Sequence, residues 1–249
     1  PDSIHVHGFV TVNGEKMSKS KGNFITADQF AEECEPELLR YFFASKLNSK
    51  IEDLDLSFDD FAQKINSDLV GKFSNILSRS APFIAKNNHR LAAILDESFL
   101  TEARANEEEI YDLFESKSYS KAIKLIMEIA DNTNKYINEK EPWKLDQDQA
   151  IIVSTTAINV FKNLCVLLHP VIPNITLKML SILNVSAINN SSLSAKLLDT
   201  EILEFKPVLS RIEPMDVKKF QSEESEMEEN AEDFINIEDF MKVDLRVAT

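Results

Sequence analysis

The sequence predicts a mainly α fold, a helical bundle preceded by a short α/β remnant. Three observations carry this. Between residues 58 and 183, apolar side chains recur at steps of three and four over several long stretches joined by short turns, the pattern of packed amphipathic helices. Strand-like alternation is confined to the first 58 residues. Three of the four glycines, Gly8, Gly14 and Gly22, fall in the first 22 positions, so backbone freedom is concentrated in the lead-in.

Residues 4–12 read as a strand, with His5 and His7 on one face; two imidazoles are too few for a metal site. Then comes Gly14-Glu15-Lys16-Met17-Ser18-Lys19-Ser20-Lys21-Gly22-Asn23, with three lysines and two serines in six residues between two glycines. Lysine is a compact, flexible charge suited to loose phosphate contact, so this reads as a mobile loop closing on a polyphosphate. A solvated hairpin tip is the alternative. Thr26-Ala27-Asp28 offers capping chemistry for a helix from about residue 28. Pro36 suits the first turn of another helix, which carries Leu38, Leu39, Tyr41, Phe42 and Phe43. Residues 51–58 alternate apolar and acidic, as a half-buried extended segment would.

Residues 58–89 give one apolar stripe (Phe61, Ile65, Leu69, Phe73, Ile76 and Leu77 among it), with a break expected at Pro82. A different face carries Lys72, Asn75, Arg79 and Lys86. Further helices read over about 100–116, 120–138, 149–169 and 175–183, and a turn at 138–144 holds the sole tryptophan, Trp143. Residues 184–210 read as irregular. Residues 221–233 hold seven acids and no base, a solvated linker, after which apolar patterning restarts over 234–249.

The chain carries 27 basic and 42 acidic residues, a formal net charge of −15. That excludes a broad basic face for indiscriminate nucleic-acid binding; any RNA contact has to be local, with its cations grouped. Cys34 and Cys165 give neither a disulfide framework nor zinc spacing and read as reduced, buried thiols of a cytoplasmic protein. With no run of about 20 apolar residues and no signal-like start, no membrane association is expected.

Lys16-Met17-Ser18-Lys19-Ser20 resembles the KMSKS signature of class I aminoacyl-tRNA synthetases. Its flanks, His7-Gly8, Val10-Thr11-Val12-Asn13-Gly14 and Lys21-Gly22-Asn23, are similar to those of the methionyl-tRNA synthetase family. The resemblance implies an intact enzyme, a methionine–tRNA ligase, that uses ATP with magnesium to attach methionine to its tRNA. It implies Lys19 and Lys16 as catalytic cations on ATP, Lys19 foremost, with Met17, Ser18 and Ser20 completing the nucleotide-binding stretch. No metal site is implied within this sequence. A second signature of the HIGH type and the alternating strands and helices of a nucleotide fold are lacking. The chain therefore reads as a C-terminal part, inactive alone, with the missing catalytic domain as its partner.

Asn75-Ile76-Leu77-Ser78-Arg79 and Glu141-Pro142-Trp143 are similar to the family's anticodon-binding elements, which implies Asn75, Arg79, Pro142 and Trp143 as tRNA contacts, with Lys72 a further candidate. The residue types suit base recognition, with an indole to stack an unpaired base, an amide to read its edge, and a guanidinium to donate to base or phosphate. A packing role for Trp143 and a solvated face for Lys72–Lys86 are the alternatives. The resemblance divides the chain into the end of a catalytic domain (1–26), a stem-contact region (27–60), the anticodon-binding helical bundle (61–220), the acidic linker (221–233) and the start of an OB-fold tRNA-binding module (234–249). In intact relatives such a module makes homodimers. Arg211-Ile212-Glu213-Pro214 resembles the segment that packs back toward the catalytic domain. The competing readings are another class I synthetase (cysteinyl, valyl or leucyl) and an acidic helical scaffold for protein partners; an ATP hydrolase is disfavoured for want of a carboxylate cluster.

Overall fold

The computed structural model describes residues 4–18, 23–186, 188, 192–216 and 220. The chain begins with a hairpin, β1 (Val10–Val12) and β2 (Glu15–Lys16), closed by the two-residue turn Asn13-Gly14. Both turn residues have positive φ, 49° and 79°, the conformation an Asn-Gly hairpin turn requires. β3 (Leu54–Leu56) pairs with β1 in parallel, giving the order β2-β1-β3. The strand expected over residues 4–12 is therefore only its last three residues; His5 and His7 lie before it, exposed.

Between β1 and β3 lie α1 (Ala27–Glu33) and α2 (Pro36–Ala44). Thr26 and Gln29 form a reciprocal capping box, and Pro36 occupies the first turn of α2. α2 is fastened to the bundle at both ends of its polar surface. Glu37, 4% exposed, accepts the Asn174 and Ile175 amides at 2.8 and 2.9 Å, and Arg40 Nε donates to the Val171 carbonyl at 3.0 Å. α2 is thus held against the start of α9 and the residues just before it.

α3 (Phe58–Lys64) starts at the Ser57 cap and runs without interruption into a π-helical stretch, Ile65–Ser74, and then α4 (Asn75–Ala85). The irregularity expected at Pro82 lies upstream instead. Pro82 sits inside α4 and the helix continues to Ala85. In the π stretch the backbone is wound wider, and a Cβ on Gly71 would meet the Asn66 carbonyl at 3.1 Å, so glycine suits the position.

The helix expected over 100–116 is two helices, α5 (Glu97–Ala103) and α6 (Glu107–Glu115). Arg104 leaves the first and pairs through two nitrogens with Glu107, in the first turn of the second. α7 (Tyr119–Lys140) ends at Glu141, which is left-handed at φ 47°. A short 3₁₀ turn (Pro142–Lys144) leads to α8 (Gln147–Leu168), capped by Asp146, and α9 (Pro173–Ile182) follows.

α8 is the hub of the core, packing against α4, α7, α5 and α9. It is long and apolar enough by composition to cross a membrane, yet 94% of that window is buried inside the fold. Its apolar run is a core signature. Cys165 is buried within it and Cys34 only half-buried. Segment 192–202 straps along α8: Asn159 exchanges hydrogen bonds with Leu197, and Lys162 donates to the Ser192 and Ala195 carbonyls. The closing residues return to the start of the chain. Asn66 and Ile212 exchange two hydrogen bonds, and the Phe220 ring stacks on Phe58. The acidic tract 221–233 and the segment 234–249 lie outside the described residues.

Candidate nucleic-acid interface and lysine loop

Two neighbouring helices build the first site. Asn75 and Arg79, one turn apart on α4, are half-buried and face α7, where Asn134 and Asn138 repeat the four-residue spacing. Asn75 Nδ2 donates to Asn134 Oδ1 at 3.0 Å. Arg79 Nη1 donates to the Asn134 carbonyl at 3.2 Å and to Oδ1 at 3.3 Å, and Nη2 to Asn138 Oδ1 at 2.5 Å. Asn134 is fixed in turn by its amide, which donates to the Lys72 and Ala130 carbonyls at 2.9 and 3.0 Å. Neither α7 asparagine stood among the candidates from sequence, although their spacing, matched to Asn75 and Arg79 on a facing helix, was a usable signal.

The electrostatics separate the two basic residues. Every hydrogen-bond acceptor on Arg79 is a neutral carbonyl or amide oxygen, and burial lowers its basicity from the ordinary value. Arginine remains charged under such burial, so the guanidinium presents a positive charge with no carboxylate against it among the described residues. Lys72, by contrast, is bound to Asp131 at 2.9 Å and Asp68 at 3.7 Å, and Asp131, foremost, raises its pKa. Lys86 lies over the Phe83 ring. The four residues expected on one basic face thus meet different surroundings: Lys72 is bound to acids, whereas Arg79 and Lys86 have no carboxylate against them among the described residues.

Trp143 sits in the turn that ends α7, five residues beyond Asn138. Its side chain is 55% exposed, one of the few large apolar groups left in solvent. Pro142 is buried: it anchors the turn and holds no surface out to a ligand. The turn lies at the C-terminal end of α4, where Gln147 Nε2 donates to the Lys86 carbonyl at 3.3 Å. Asn75 and Arg79 thus stand in the first turns of α4, against Asn134 and Asn138, and the exposed indole lies beyond the C-terminal ends of α4 and α7.

The second site is the lysine loop. Asp55 braces the hairpin from below, accepting the Thr11 hydroxyl at 2.6 Å and the Gly14 amide at 2.7 Å. Asn23, 8% exposed, ties the two sides of the loop: it accepts the Ser18 amide at 2.8 Å and donates to the Lys16 carbonyl at 3.2 Å. Lys16 is exposed, its ammonium 5.4 Å from the Phe9 ring centroid, and has no carboxylate partner among the described residues. Met17 is partly buried against the core. Lys19 and Ser20 lie outside the described residues. No cluster of His, Cys, Asp and Glu that would hold a metal occurs among the described residues.

Residues 1–81 match the family model described as tRNA synthetases class I (M), and residues 96–237 match that of the anticodon-binding domain of tRNA ligase. The chain is 39% identical to the methionine–tRNA ligase of Psychrobacter arcticus over its whole length, covering 40% of that protein, and equally similar to that of Psychrobacter cryohalolentis. A solved structure of Mycobacterium tuberculosis methionyl-tRNA synthetase in complex with methionyl-adenylate superposes with a TM-score of 0.72 at 25% identity, over 81% of this chain and 42% of that one. The chain thus spans about two-fifths of the length of the relatives it matches.

Proposed function

From a chain that belongs to the class I tRNA synthetases of the methionine type, we propose a tRNA-binding unit that takes methionine tRNA by its anticodon. An unpaired anticodon base stacks on Trp143, while Asn75 and Arg79 meet the neighbouring base edges or phosphate. The observation that carries this is the Arg79 guanidinium, held in place by two asparagines and opposed by no carboxylate among the described residues, with an exposed indole five residues beyond Asn138. Asn75 is held through one N–H, and its Oδ1 has only the Ser78 hydroxyl at 3.5 Å, which leaves donor and acceptor capacity for a base edge. Asn138 presents an exposed amide beside it. Pre-organisation limits what binding has to order.

We infer that the longer proteins of this type use Lys16 and Lys19 on ATP, with magnesium, in forming methionyl-adenylate, the lysines countering charge on the leaving pyrophosphate. Lys16 suits this by being exposed and, among the described residues, free of carboxylates, and Asn23 by bracing the loop's two sides. Magnesium would be carried with the nucleotide phosphates. The cytoplasm is the inferred location, and homodimerisation is assigned to the module that residues 234–249 open.

Binding of tRNA transcripts differing by one anticodon base tests the reading. Methionine tRNA is expected to bind at least tenfold tighter than its single-base variants at fixed salt. Equal binding of all of them would leave the acidic scaffold as the better account, and stronger binding of cysteine, valine or leucine tRNA would favour another synthetase type.

A further inference from the structure

A surface cleft of about 530 Å³ runs between the π stretch and the first half of α7, with Lys64 and Lys72 on one wall and Lys121 and Lys124 on the other. Its floor is Asp68, whose carboxylate is occupied from within: it accepts the Tyr41 hydroxyl at 2.8 Å and pairs with Lys64 at 2.9 Å. At Ser45 and Lys64 the cleft adjoins a second one of about 350 Å³, which Lys46 lines.

The two ends of this strip meet the two sites already described. At one end the Lys72 carbonyl accepts the Asn134 amide, the same side chain that positions Arg79. At the other, Lys46 Nζ donates to the Asp55 carbonyl at 3.1 Å, and the Asp55 carboxylate supports the hairpin turn that leads into Lys16. In a chain of net charge −15, five lysines line these two adjoining clefts between the base-binding end and the ATP-loop end. Asp68 and Asp131 hold Lys64 and Lys72 at 2.9 Å, but Lys46–Asp60 and Lys124–Glu128 are both 3.8 Å apart, and Lys121 has no carboxylate within 4 Å among the described residues. An ammonium has three donors and can keep such a neighbour while donating to a phosphate.

We propose that this cleft is a track for a ribose–phosphate backbone, that of the same RNA whose bases meet Trp143, Asn75 and Arg79. The proposal rests on that reading and extends it: the asparagine–arginine end selects, and the lysine strip holds the intervening strand without reading sequence. An acidic protein can thereby bind RNA because its usable cations are grouped in adjoining clefts rather than numerous.

The test is the double variant Lys121→Gln/Lys124→Gln, whose side chains stand on the exposed wall and carry no core contact. Each lost phosphate contact removes about 0.7–0.9 from the slope of log K against log salt. The pair is therefore expected to reduce the slope by roughly 1.4–1.8, a weakening of about 25- to 60-fold at 0.1 M salt if affinity extrapolated to 1 M is unchanged. The ratio of affinities for methionine tRNA and its single-base anticodon variants should stay as in the parent chain. A matched pair on another face, Lys178→Gln/Lys206→Gln, should do little, and thermal unfolding verifies that all variants are folded. An unaltered slope with anticodon discrimination intact overturns the track and leaves the base site standing. Absence of discrimination in the parent chain overturns the base site, and the track with it.

Discussion

Trp143 permits a test in which folding and binding separate. Its side chain is 55% exposed, so truncation to alanine removes little buried area and should leave fold stability within about 0.5 kcal/mol. The proposed complex stacks the same indole on a base, a contact worth about 1–3 kcal/mol by alanine substitution. At 1.4 kcal/mol per decade, Trp143→Ala should weaken tRNA binding about 5- to 140-fold at fixed salt, with Trp143→Phe in between. The chain has no other tryptophan, so intrinsic fluorescence reports this residue alone. Stacking should quench its emission as RNA is added, and the titration should give the same Kd as filter binding. Because the indole is already largely in water, urea unfolding should shift its emission maximum only slightly, whereas circular dichroism shows the full transition. A Trp143→Ala variant that is folded and binds tRNA within twofold of the parent, or an emission spectrum untouched at saturating RNA, would refute the stacking role.

Three further outcomes are expected. Glu37→Gln keeps the shape but replaces a carboxylate that accepts two α9 amides, and should cost about 1–3 kcal/mol in urea-monitored stability; a loss below 0.5 kcal/mol would mean α2 does not hold α9. Asn134→Ala frees Arg79 and Asn75 together and should lower anticodon discrimination along with affinity in the transcript assay, whereas a purely structural effect would lower stability alone. Burial, foremost, pushes the Lys162 ammonium from 10.5 down to about 8, so between those values the unfolded chain binds the extra proton and stability contributed by this group rises with pH. The difference in unfolding free energy between the parent and Lys162→Met should therefore grow in the parent's favour by up to about 3 kcal/mol from pH 8 to 10.5, and a difference flat with pH would contradict the burial of that charge.

The parts of the fold that were legible are those governed by local periodicity and by capping. The stripe Ala122, Ile123, Ile126, Met127 and Ile137 defines α7, and Thr26 and Pro36 mark where helices begin, because those signals act within one or two turns. Pro82 misled because a proline costs a helix one hydrogen bond locally, and burial of Ile76, Leu77, Ala81 and Ile84 around it keeps α4 continuous. The split at Arg104 was hidden because the apolar spacing survives it, and Arg104 pairs across it with Glu107. In the site, residue types and spacing pointed to Asn75, Arg79 and Trp143, but only tertiary packing shows that Asn134 unites the first two and that Lys72 is bound to acids.

How an acidic chain keeps one cation available follows from what surrounds it. On a protein with 42 carboxylate side chains, an exposed lysine or arginine usually finds a counter-ion within reach, as Lys72 does in Asp131 and Asp68. Asn134 and Asn138 occupy the places around Arg79 from which a carboxylate would capture it, and as amides they orient the fork while leaving its charge uncancelled. A carboxylate there would position Arg79 equally well and would have to be displaced before a phosphate or base acceptor could bind, at the cost of a charge-assisted hydrogen bond. Orientation by neutral groups separates two requirements that a salt bridge joins, a fixed geometry and an unspent charge.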